Sequence, residues 1–450
     1  MYRPSHHRTH AALALTAGVA LLTAACTSSG SKPAATGGGS GTGSVSGQTI
    51  TYWASDQGSS IADDIQVLTP ELKAFTAQTG VTVKLEVIGW NDLLNRVLAA
   101  TTSGQGPDAV NIGNTWSASL QATGAFVPVT TDVLTQIGGT GRFLPGSLAA
   151  TGAAGKPPVG VPIYSTAYGL YYNKAEFAAA GITAPPTTWD DFVADGQKLT
   201  KSGQWGLAME AGQIPENAHA AFVLSQQQGG SWFDASGNPT FTTPRNVAAI
   251  KQAIDFMAAD KIVNPSDAES TNGTEALQAF ASGKAAMVMW QPAGTNLQKY
   301  GMQPSQWGVA PVPFPATAPA GGQHIDSMVG GINLAVFANS KHQAAALQFV
   351  KFMTSQPTQI ALNKAYGSLP SVTDGYSDPA FQTPDDKVFQ GVLASSATAM
   401  PGIAKESQFE TAVGGAMKTL FAAAAGGQPI TDATVSAALT TAQQTMQAGG

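Results

Sequence analysis

The 450-residue chain has a single cysteine, Cys26. Beyond that position it can form no disulfide, hold no zinc through thiolates and use no cysteine nucleophile. Charge is also scarce, at 11% Asp, Glu, Lys and Arg, against about 25% in ordinary globular chains. Its surface must therefore rely on Ser, Thr, Gln and Asn. The charge that exists leans acidic, with 22 basic against 28 acidic side chains, which argues against nucleic acid as a partner. The HExxH, GxSxG, P-loop and GxGxxG spacings are all missing, leaving metal hydrolysis, the serine elbow and nucleotide chemistry without support. Past the first 25 residues no hydrophobic stretch is long enough to cross a bilayer.

What is present begins with a leader. Arg3 and Arg8 precede an apolar run from Ala11 to Leu22, and small residues lead to Cys26. That is the pattern of a secretory signal over residues 1–25. The ending TAAC resembles a bacterial lipobox, in which a diacylated cysteine becomes the mature N-terminus. Thr23 stands where leucine is usual, and Leu22 falls one place too early. The expected product is lipidated at Cys26, and its two acyl chains suffice for stable anchoring at the outer face of the cell membrane. Residues 26–47 are nearly all Gly, Ser, Thr and Ala and cannot bury a core. As a flexible tether they would span roughly 25 Å.

From Gln48 onward roughly 400 residues remain, more than one hydrophobic core holds, which predicts two domains. Apolar residues, at 43%, are sufficient for both. Strand and helix signals alternate. Ile50 to Trp53, Val81 to Ile88 and Ala109 to Ile112 read as strands. Thr69-Pro70 reads as a helix start, Gly80 as its stop, and Asn91 or Asp92 as the next cap. This rhythm predicts an α/β domain with a largely parallel sheet. A second unit begins near Tyr164. Its strands are Gly169 to Tyr172 and Ala285 to Trp290, with helices opened by Thr188 and by Thr274. Further on, Asn333 to Phe337 is a strand, Ser340 caps a helix, and Gln408 to Gln447 is mostly helical.

At Gly160 to Thr200 the segment GVPIYSTAYGLYYNKAEFAAAGITAPPTTWDDFVADGQKLT resembles the signature of extracellular solute-binding proteins of carbohydrate-uptake ABC transporters, the maltodextrin-binding-like family. FTAQTGVTVKLEV, TTSGQGPDAVNI, FASGKAAMVMW and VGGINLAVFANSKHQAAALQFVKFM agree with it in order. The resemblance implies a type II periplasmic-binding-protein-like fold of two hinged α/β lobes, with ligand in the cleft between them. It places lobe one at 48–163 plus 332–370 and lobe two at 164–331 plus 371–450. It further implies a monomeric receptor without cofactor or metal, passing a neutral mono- or oligosaccharide to membrane permease subunits. A non-sugar solute (metal, peptide or another polar small molecule) is the alternative.

A pyranose has apolar C–H faces and a hydroxyl rim, so it calls for aromatic platforms with carboxylates and amides beside them. In open α/β sheets such ligands sit beyond the carboxyl ends of strands. Trp53, Ser55 and Asp56 follow the first strand, Trp90 the second, and Asn114 and Trp116 the third. Tyr164 and Thr166 lie at the first crossing between lobes, Glu210 after an apparent strand, and Trp290 and Gln291 at another strand end. Gly330 and Gly331 let backbone approach ligand or hinge. Trp189 and Trp205 read as packing residues, and Trp232 and Trp307 are not placed at the cleft. Glu410 stands where the family pattern often has an aromatic contact.

An enzyme is disfavoured. The pairs Asp63-Asp64, Asp190-Asp191 and Asp385-Asp386 are adjacent in sequence, so their side chains point apart instead of flanking a bond, and they read as caps and loop charges. His324, Asp326 and Ser327 are too close in sequence for a triad. His219 reads as a lone loop histidine. Tyr171 and Tyr172 sit in one strand and face opposite ways, which disfavours ferric-ion ligation. Arg96, Arg142 and Arg245 match no cleft position, so an anionic ligand lacks its partner.

Overall fold

Short β-prone runs separated by helices give twelve strands in the computed structural model, which describes residues 44–448 apart from Asn272. The leader, Cys26 and the tether up to residue 43 lie outside the described residues. Structure begins slightly earlier than Gln48, because Val45 is buried in the core and Gly47 N–H donates to Gly80 C=O.

The strands are β1 (Thr49–Ser55), β2 (Thr82–Ile88), β3 (Ala109–Gly113), β4 (Gly160–Thr166), β5 (Gly169–Asn173), β6 (Trp205–Ala208), β7 (Ala285–Trp290), β8 (Trp307–Ala310), β9 (Ser327–Met328), β10 (Gly330–Val336), β11 (Leu369–Pro370) and β12 (Ala397–Thr398). Six of them form one sheet in the order β11-β4-β10-β3-β1-β2, and four form a second in the order β6-β7-β5-β8. Each sheet has its own hydrophobic core, so the molecule has two α/β lobes. Only Ala167 and Tyr168 separate β4 in the first sheet from β5 in the second. Val329 alone separates β9 from β10.

The first sheet is mixed and not largely parallel as the rhythm predicts. β1 pairs parallel with β2 and β3, but β10 runs antiparallel to both β3 and β4. The cause is connectivity. β10 returns from the second lobe and enters the sheet at the edge where the other strands end, so its first residues, Gly330 and Gly331, lie beside Thr166 and Ser165.

The first helix spans Ile61–Thr79 and starts well before Thr69. Ser60 caps it by accepting from Asp63 N–H, and Asp63 and Asp64 sit in its first turn, where the helix dipole favours acidic side chains. Pro70 is thus inside the helix, not at its start. The next helix, Trp90–Ser103, begins at Trp90 after an extended Gly89, ahead of Asn91. Ser340 does not cap the following helix directly. That helix starts at Gln343, and the Ser340 hydroxyl donates to Asp108 Oδ1. All three adjacent-carboxylate pairs fall in the first turns of helices, with Thr188 and Thr383 as side-chain caps of the later two.

Alternation along β1 buries Ile50, Tyr52 and Ala54 on one face. Phe349 closes that core with edge-to-face contacts to Tyr52 at 4.9 Å and Phe75 at 5.2 Å. In the second lobe Trp189 packs on Phe192 and Phe256, and its indole N–H donates to Gln227 Oε1. Trp232 and Trp307 are also core residues, whereas Trp205 is half-buried at the start of β6. Among the described residues no helix is long and apolar enough to cross a membrane.

Candidate functional site

The carboxyl ends of β1 to β4 and the first residues of β10 share one edge of the larger sheet. Since β5 follows β4 almost at once and Gly169 pairs with Trp290, the end of β7 lies across from that edge. The gap between them is a cleft lined by Asp56, Trp90, Asn114, Trp116, Tyr164, Thr166, Trp290, Gln291, Gly330 and Gly331.

Short contacts position these groups. Trp90 donates its indole N–H to Asp56 C=O at 2.6 Å and meets Trp116 edge-on, with ring centroids 5.5 Å apart. Gly113 makes room for that fold-back, because a Cβ there would lie 3.1 Å from the Trp116 ring. Asn114 Nδ2 donates to Val329 C=O at 2.7 Å, and Thr166 donates to Gln291 Oε1 at 2.8 Å, tying the two sheets at the first crossing. Tyr164 is buried edge-on against Tyr366. At Gly331, φ is +156° and a Cβ would collide with Tyr164 C=O, so the close passage of β10 past β4 requires glycine.

Three expected residues lie elsewhere. Trp53 is two residues short of the end of β1, so its ring leaves through the sheet face, where the Arg96 guanidinium lies 4.5 Å over it. Ser55 is buried and accepts from Asn111 Nδ2. Glu210 is buried after β6, where Oε1 accepts Ala276 N–H. It borders an apolar cavity with Met209, Val223 and Phe256, which adjoins the cleft at Glu216, His219 and Trp290. Burial, together with the nearby Glu275 carboxyl, pushes the Glu210 carboxyl up to about 8.

Sequence reasoning missed a polar group on the second lobe. His219 lies in the helix Ile214–Gln227, not in a loop, one turn after Glu216, and both line the cleft. Tyr168 links them, with its hydroxyl 2.6 Å from Glu216 Oε2 and 2.8 Å from His219 Nδ1, and it accepts from Gln291 Nε2. Glu410 completes the group. Its Oε2 accepts the Trp116 indole N–H at 2.8 Å, and its Oε1 lies 3.6 Å from His219 Nε2. Burial opposes protonation of His219, but the Glu410 carboxyl 3.6 Å from its Nε2 and the charge of Glu216 outweigh that and hold the imidazole above its usual value. Burial pushes Glu216 up, partly offset by His219 and Tyr168. The i, i+3 spacing of Glu216 and His219 was the available signal, since it puts both on one helix face. No signal linked Glu410 to Trp116, which are 294 positions apart.

His324 Nε2 lies 3.5 Å from Asp326 Oδ1. His324 stacks on Phe314 with centroids 4.3 Å apart, while Ser327 accepts from Tyr168 N–H. Tyr171 is buried and accepts from Ala293 N–H, while Tyr172 packs on Phe177. Among the described residues no three His, Cys, Asp or Glu side chains are grouped to hold a metal ion.

Two lobes, short hinge segments and an aromatic cleft with a polar rim define a ligand-closing binding protein. The chain belongs to the bacterial extracellular solute-binding protein family, whose model matches residues 58–360. At the family level these are binding proteins and not enzymes. The chain is 28% identical over 332 residues to a diacetylchitobiose-binding protein of Streptomyces coelicolor, covering 72% of this chain and 73% of that one. It is 25% identical to a maltotriose-binding protein of Pyrococcus abyssi, covering 67% and 62%. In fold it matches a solute-binding protein of Agrobacterium radiobacter K84 in complex with ribitol, at a TM-score of 0.76 and 24% identity, covering 90% of this chain and all of the other. Maltose-bound MalE3 of T. maritima matches at 0.75 and 21% identity, covering 89% of this chain and 100% of that one.

Proposed function

We propose that this chain is the extracytoplasmic, Cys26-lipidated receptor of an ABC importer, which clasps a mono- or oligosaccharide between its lobes and hands it unaltered to permease subunits. The observation that carries this reading is the disposition of indoles. Trp90 and Trp116 stand at the edge of one sheet and Trp290 at the edge of the other, with amides and carboxylates around them. That is the arrangement that holds the faces of a pyranose while its hydroxyls bond to the rim. Asp56, Asn114, Tyr164, Thr166, Gln291, Gly330 and Gly331 are the further contacts assigned to the ligand. The saccharide-binding relatives support the same chemistry, and the short segments between β4 and β5 and between β9 and β10 serve as the hinge. A ligand that touches both lobes shifts the hinge toward its closed state by its differential affinity for that state. Micromolar binding, about −8 kcal/mol, is within reach of two stacked rings and several hydrogen bonds.

A thermal-shift screen of the mature protein against mono- and oligosaccharides, amino acids and divalent metals tests the reading. A rise in melting temperature confined to saccharides is expected. A rise with metals or amino acids alone contradicts it.

A further inference from the structure

Resting on that reading, we infer that the preferred saccharide carries a protonated amine. Three carboxyl groups line the cleft, Asp56 from the first lobe and Glu216 and Glu410 from the second, against one imidazole, His219. No lysine or arginine is among the described residues that line it. Lys299, one turn from the lining Asn296, is committed to an ion pair with Asp63. Glu410 is the decisive group. It is only 3% exposed, it lines the cleft, and no donor lies within hydrogen-bond distance of its Oε1, whose ion-pair partner, His219 Nε2, is 3.6 Å away.

A buried carboxylate oxygen without a donor is costly, and the cost is relieved most by a donor that is itself charged. A hydroxyl supplies one neutral donor, whereas an ammonium supplies up to three charged ones and cancels the excess negative charge as well. The walls favour the same ligand, because the faces of Trp90, Trp116 and Trp290 attract cations as well as C–H groups. The scarcity of basic side chains, which disfavours acidic sugars, thus leaves room for a basic one. Asp56 and Glu410 approach from opposite lobes, so an amine between them would draw the lobes together.

Isothermal titration of the full mature protein with matched pairs tests this: glucose and glucosamine, galactose and galactosamine, cellobiose and the fully deacetylated chitin disaccharide. In each pair that binds, the amine is expected to bind about tenfold more tightly at pH 6, since a charge-assisted bond replaces a neutral one. That ratio is expected to shrink at pH 9 as the amine loses its proton. Glu410→Gln keeps an acceptor for the Trp116 indole and is expected to bring the ratio below threefold, as is Asp56→Asn. Equal or tighter binding of the hydroxyl partners, or a ratio unchanged in both variants, overturns the inference and leaves the saccharide reading standing. Binding of no saccharide in the panel, with a response to choline or spermidine or with none, overturns both.

Discussion

Replacing Trp290 by alanine separates ligand contact from structural packing most cleanly. The indole is half-buried at the end of β7, borders the cleft, and also packs beside the second-lobe core. Its backbone pairing with Gly169 does not depend on the side chain. An aromatic anchor in a recognition site is worth about 2–3 kcal/mol, so Trp290→Ala should weaken saccharide binding about 30- to 150-fold. The loss in stability should be roughly 2 kcal/mol, about half that of truncating a fully buried Trp. Trp53→Ala is the matched control, because that ring is also half-buried but lies under Arg96 on the sheet face. It should lower stability by a similar amount and leave affinity within twofold. Calorimetric titration of both variants, with chemical denaturation alongside, decides the matter. Full affinity in Trp290→Ala, or a loss in Trp53→Ala that exceeds it, would refute the placement of the ligand.

The same geometry sets further outcomes. Burial beside Asp56 pushes the Asp64 carboxyl up to about 8, and burial raises Glu210 to about 8 and Asp267 to about 6, whereas unfolded carboxyls titrate near 4. Stability from these groups is fully present below about pH 4 and is lost as pH rises through their folded values. The melting temperature should therefore fall between pH 5 and pH 9, and Asp64→Asn should flatten that slope; a stability that rises over this range contradicts the assignment. Gly331→Ala forces a Cβ against Tyr164 C=O at a positive φ and should cost about 1–3 kcal/mol, read as a lower denaturation midpoint. Cys26→Ala should move the protein from the detergent to the aqueous phase in a phase-partition assay without changing saccharide affinity.

Legibility in the sequence depended on the range of the forces involved. The edges of β2, β3, β5 and β7 and the Thr188 cap were readable because alternation and capping are local signals. In the Ile61–Thr79 helix Thr69-Pro70 mimics a start, while the true cap, Ser60 with Asp63, lies in a polar stretch with no apolar period before it. Sheet direction was not readable, because β10 owes its orientation to chain return from the other lobe. The same split holds at the cleft. Strand-end residues such as Trp90, Asn114 and Gln291 converge there because a sheet edge gathers the first residues past each of its strands. Trp53 does not, because two residues of strand separate it from that edge. In the polar group of Tyr168, Glu216, His219 and Glu410 only the Glu216–His219 pair has a local pattern; Tyr168, between β4 and β5, and Glu410, on the Glu406–Ala425 helix, join it through the tertiary fold alone.

A crystal structure of the mature protein with the saccharide that most raises its melting temperature tests the central claim most directly. The account predicts one intact ligand between the lobes, its ring faces against Trp90 or Trp116 on one side and Trp290 on the other. Ligand bound outside that cleft, or a cleavage product within it, would contradict it.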